Sequence, residues 1–164
     1  MDGDVPGRRV PAGRGGGDDV VATTGPGGRD GGELDGFHVG WVPAAAGDLV
    51  SDFASEWEDV TFATRVWERA VEDGYQVDLR VHVLRGDRLA DLAELRDYLA
   101  EYHERDPADW PLTGFDHGQG AGFVGDGEAF WLVGPGLAVD VLVDVERFGA
   151  DAARVVAESV VTAG

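Results

Sequence analysis

Lysine and cysteine are both missing from the 164 residues, whose only permanent cations are 13 arginines set against 32 carboxylates, for a formal net charge of −19. Without lysine there is no phosphate-binding ammonium of the P-loop or protein-kinase kind and no Schiff-base amine. Without cysteine there is no thiol nucleophile, no disulfide and no thiolate metal ligand. Serine is scarce as well: Ser51, Ser55 and Ser159 are the only ones, and none lies in a GxSxG elbow. No apolar run approaches the roughly 18–20 residues that span a bilayer, so membrane insertion is not expected. The opening stretch carries arginines but no apolar h-region, so it does not read as a signal peptide. On the sequence as it stands a cytoplasmic setting is expected, and a cell-envelope one if the start site is mis-set.

What is present divides unevenly. Twelve of the 26 glycines lie in positions 1–36, whereas Trp41, Trp57, Trp67, Trp110 and Trp131 all lie beyond them. Residues 1–36 have few large apolar side chains to offset ordering entropy, and are expected to form a disordered Gly/Asp/Arg-rich leader. Residues 37–164 then form one domain, with 9 arginines against 25 carboxylates, or −16. Such a surface repels phosphate backbones, which excludes nucleic acid and leaves a protein or small molecule as partner.

Periodicity gives the elements. Phe37–Val42 reads as a strand ending at Pro43, and Leu49–Trp57 fits a strand better than a helix. Val60, Phe62 and Val66 share one strand face, and Val77, Leu79, Val81 and Val83 alternate with Asp78, Arg80 and His82 across a turn at Glu72-Asp73-Gly74, the pattern of a hairpin with His82 on an exposed parity. Trp67 falls on the opposite parity from Phe62, which requires either a covered second face or a bulge. Asp87 suits a helix N-cap, and Leu89, Leu92, Leu95, Leu99 and Tyr102 recur at helical spacing. A glycine-rich loop with short strand pieces is expected over 113–128, then apolar strands at 129–133 and 137–143. A final helix over about 150–161 would bury Ala152, Val155, Val156, Ser159 and Val160. The order predicts an α+β fold: an antiparallel sheet of about five to six strands with two helices packed on one face.

Few residues carry recognisable chemistry. Gly120-Ala121-Gly122-Phe123-Val124-Gly125 matches GxGxxG, but a turn and an apolar strand follow it where a dinucleotide site needs a helix. His38, His82, His103 and His117 show no HExxH or HxH spacing, so zinc would have to be assembled from separate elements. Asp116, His117, Asp126 and Glu128 lie in the glycine-rich stretch and are the metal candidates. Calcium is the cation considered there, because hard cations take oxygen donors.

The C-terminal half, with EAFWLV, a Gly/Pro turn, LAVDVLV and a helix ending VVAESV, resembles uncharacterised extracytoplasmic domains of high-GC Gram-positive envelope proteins and lipoproteins, some linked to anti-sigma-factor systems. The chain departs from that pattern in lacking a lipobox cysteine and a membrane anchor. The resemblance implies no catalytic residue. The expected function is therefore a non-enzymatic binding or regulatory domain. The competing expectation is a small hydrolase or cation-dependent enzyme using carboxylates near Asp116 to Glu128 with His103 or His117.

Overall fold

The structure, a computed structural model, describes residues 28–163. In chain order the strands are β1 (Gly28–Arg29), β2 (Gly32–Leu34), β3 (Phe37–Val39), β4 (Val42–Pro43), β5 (Leu49–Trp57), β6 (Val60–Val71) and β7 (Gly74–Arg85). Helix α1 (Leu92–Tyr102) and a 3-10 turn (Pro107–Asp109) follow. Then come β8 (Thr113–Asp116), β9 (Ala121–Gly125), β10 (Glu128–Gly134), β11 (Leu137–Val143), α2 (Val145–Phe148), α3 (Ala152–Ser159) and β12 (Val160–Thr162). Among these residues no helix is long and apolar enough to cross a membrane.

The fold is α+β, but its main sheet has seven antiparallel strands, in the order β5-β6-β7-β11-β10-β9-β8, rather than five or six. Two meanders, β5 to β7 and β8 to β11, are joined by α1, and β7 pairs with β11 at the centre. Much of the difference lies in the glycine-rich stretch. The short strand pieces expected there, residues 113–116 and 121–125, pair as a hairpin at the edge of the main sheet, and glycine is what lets them. A Cβ on Gly122 would sit 2.2 Å from the Phe130 carbonyl oxygen, and one on Gly120 would sit 1.8 Å from that of Leu132. The GxGxxG match is thus a strand packed closely on its neighbour and followed by another strand, which removes the dinucleotide reading.

Strand parity divides the core in two. On one face Trp67, Leu79, Val81, Val83, Trp131, Val139 and Val141 pack with Ala153, Val156 and Ala157 of α3 and with Leu34, Phe37, Val39 and Val42. On the other, Phe62, Leu84, Phe130 and Ala138 pack with Leu95, Tyr98 and Leu99 of α1 and with Trp110. The two longer helices are therefore divided between the faces instead of sharing one, which explains why the central strands are apolar on both parities. Trp67 meets both conditions its parity imposed: its face is covered, and a register shift lies between Trp67 and Glu68.

Smaller differences have local causes. Asp91, not Asp87, caps α1, its Oδ1 accepting from the Glu94 N–H at 2.9 Å. Leu89 precedes the helix but is fully buried. In α3 the buried positions are Ala153, Val156 and Ala157, one step round from the expected stripe, and Val155 is exposed. Part of the expected leader is ordered structure: β2 pairs with β3, Leu34 is 6% exposed, and the Arg65 guanidinium donates to the Gly31 carbonyl at 2.7 Å. The rest of that leader, 1–27, lies outside the described residues.

Candidate functional site

On the α1 face a polar row interrupts the apolar core. Thr64, His82 and Asp140 stand opposite one another across β6, β7 and β11, and Phe130 of β10 continues the row. Glu128 lies two residues before Phe130, so the pleat turns it to the same face. Thr64, His82, Glu128 and Asp140 are all buried, His82 contrary to the exposed position its alternation suggested. His82 Nδ1 lies 2.7 Å from the Thr64 hydroxyl. Burial first, then the positive charges of Arg80 and His103, push its pKa down to about 4, so it is neutral near pH 7.

His103, at the C-cap of α1, reaches down onto this row. Its Nε2 is 2.9 Å from Glu128 Oε2 and 3.6 Å from Asp140 Oδ2. One donor atom from each of His103, Glu128 and Asp140 lies within 4.8 Å of the other two. Arg105 places its guanidinium 3.6 Å from Glu128 Oε1 and lies over the Trp110 ring at 4.8 Å. Burial alone would lower the His103 pKa, but its hydrogen bond to Glu128 and the negative charges of Asp140 and Glu128 outweigh that and raise it to about 9. The carbonyl end of α1 favours the same cation.

The two carboxyls are driven apart. Burial would raise Glu128, but the hydrogen bond from His103 and the charges of His103 and Arg105 hold it below the usual range. Asp140 goes the other way, well above the usual range, through complete burial and then the neighbouring Glu128 charge. Neither Asp140 oxygen has a hydrogen-bond partner among the described residues. His103 Nε2, 3.6 Å from Oδ2, is beyond hydrogen-bond reach.

Asp78 shows what a structural buried carboxylate looks like in the same sheet. It too is 1% exposed, yet it accepts from the Gly47 N–H at 2.9 Å and from Arg69 Nε at 3.1 Å, with Arg147 3.7 Å away. Asp140 has no such set of donors.

Of the four metal candidates only Glu128 belongs to the cluster. Asp116 is exposed at one end of β9's partner strand, where its side chain caps a turn by accepting from Gly118 N–H. Asp126 is exposed at the opposite end of the hairpin, some 15 Å away by strand rise. These carboxylates cannot share one calcium ion with Glu128. His117 is on the other face of the sheet, stacked on Trp131 at 4.0 Å with Nε2 donating to the Ala157 carbonyl at 2.8 Å. Of the two histidines named with the carboxylates, His103 is the one that lies beside Glu128. Asp140 was missed, although a single carboxylate inside the apolar strand LAVDVLV was the available signal.

Of the three cluster residues, Glu128 borders a cleft. That cleft, of about 380 Å³, is bordered by Arg80, Arg105, Asp126, Glu128, Leu142 and Asp144, among others. No protein-family model, curated protein or solved structure matches the chain.

Proposed function

We propose that this chain is a non-enzymatic binding domain whose ligand is held by His103, Glu128 and Asp140, entered from the cleft beside Arg105. The observation that carries this reading is Asp140: a fully buried carboxyl with both oxygens lacking a partner, in a protein that satisfies Asp78 completely. Leaving such a group unsatisfied costs on the order of 1–3 kcal/mol, which no structural role offsets here. A bound ligand would.

The divergent carboxyls favour the hydrolase reading in one respect, since an acid and a base with separated pKa values are what proton transfer needs. Reach counts against it. Asp140 is 0% exposed and Glu128 1%, so a substrate of any bulk cannot approach either carboxyl within hydrogen-bond distance. A ligand small enough to sit between them fits the burial better.

The test is thermal unfolding of the Asp140→Asn chain against the native one at pH 7 with chelator present. An isosteric amide can donate to Glu128 without taking up a proton. The variant is expected to melt higher, by about 3 °C or more. A lower melting temperature would assign Asp140 a structural role and contradict the proposal.

A further inference from the structure

We infer that the ligand of this cluster is a borderline divalent transition cation of the zinc class, bound by His103 Nε2 and one oxygen each of Glu128 and Asp140. The inference rests on the binding reading above and names its ligand.

Three features of the site select this chemistry. The first is the donor set. One imidazole with two carboxylates suits zinc and its first-row neighbours, whereas calcium and magnesium take oxygen donors and keep a larger or strictly octahedral shell. The second is spacing. An ion with bonds of about 2.1 Å holds tetrahedral donors about 3.4 Å apart. The His103 Nε2 distances of 2.9 Å to Glu128 and 3.6 Å to Asp140 bracket that value, and no pair of the three donors is more than 4.8 Å apart. The third is Asp140 itself, which points two unpartnered oxygens into a space where a cation would satisfy them.

The surroundings agree. Two ionised carboxylates balance a dication, so the loaded centre adds no net charge to the buried row. Arg105 approaches Oε1 of Glu128 and His103 approaches Oε2, so the two cationic groups use different oxygens and the guanidinium need not move. His82 stands opposite Asp140 but is outside the group of donors that lie within 4.8 Å of one another, which leaves three protein donors among the described residues. Sites with three protein ligands carry a further position for water or another small ligand.

No local motif announces this site, because the donors come from a helix cap and from two later strands that follow one another. His103 is 25 residues from Glu128, and Asp140 lies on the next strand.

The experiment is calorimetric titration of Zn²⁺ into the chelator-stripped full chain, with Asp140→Asn, His103→Gln and His117→Asn alongside, each checked by melting for an intact fold. One equivalent of Zn²⁺ is expected to bind the native chain, and the Asp140 and His103 variants should each lose about tenfold or more in affinity. His117→Asn should bind as the native chain does, since that histidine is on the opposite face of the sheet. Absence of binding, or binding of equal affinity in the Asp140 and His103 variants, would overturn the inference and assign any residual affinity to surface carboxylates. Displacement of Zn²⁺ by Ca²⁺ at comparable concentration would overturn the choice of cation. If Asp140→Asn raises the melting temperature while the native chain takes no Zn²⁺, the cation is wrong and the binding reading stands. If the variant instead melts lower and no Zn²⁺ binds, both fall.

Discussion

His82 shows how one side chain links burial to pH. It is 4% exposed and its pKa is depressed to about 4, whereas in the unfolded chain it titrates near 6.5. Between those values the unfolded state binds the extra proton. The contribution of His82 is therefore fully present above pH 6.5 and is lost as pH falls towards 4, amounting to about 3 kcal/mol in all. His82→Gln, which keeps a hydrogen-bonding partner for Thr64, should flatten that fall when unfolding free energy is followed by denaturant titration. Equal changes of stability in the native and His82→Gln chains between pH 6.5 and 4 would contradict this account of His82. The sequence placed His82 on the polar parity of its strand, and that was correct. What parity could not say was that α1 covers this face of the sheet and turns the polar row into an interior one.

At the scale of elements, the sequence reading succeeded where local chemistry decides and failed where contact across the chain decides. The β6–β7 hairpin and the pair β10 and β11 follow from alternation, because each strand is buried on at least one face. The β8–β9 hairpin was legible only as short strand pieces in a loop, without bounds or pairing, because its glycines have no side chains to alternate. They are required by close approach: Gly122→Ala drives a methyl to 2.2 Å from the Phe130 carbonyl oxygen, while Gly114 in the paired strand has nothing within 4 Å. Gly122→Ala is expected to cost about 1–3 kcal/mol in chemical denaturation. Gly114→Ala should be neutral or slightly stabilising. Equal effects at the two positions would show that packing against β10 is not what holds β9. The candidate site was legible to the same degree. Glu128 and His103 were named from composition and position, but their meeting depends on how the end of α1 lies over β10, which no spacing records.

For the whole molecule, both faces of the seven-stranded sheet must be covered, and the N-terminal strands share in that task. Leu34 is buried, β2 pairs with β3, and Arg29 donates to the Ala44 and Gly47 carbonyls at 2.9 and 2.7 Å. A chain starting at Phe37 should melt about 5 °C or more below one starting at Gly28, since burying Leu34 alone contributes about 1.5–3 kcal/mol. Equal melting would return residues 28–36 to the leader. The larger claim is that this fold retains one buried carboxyl at a cost to its own stability. Raised well above the usual range, Asp140 holds in the folded state a proton that the unfolded chain releases above about pH 4, so its cost grows as pH rises. The most direct measurement is the unfolding free energy of the chelated native chain and its Asp140→Asn variant, followed from pH 4 to pH 7. The variant's advantage should be small at pH 4 and widen towards pH 7. A native chain that gains on the variant over that range would contradict the claim.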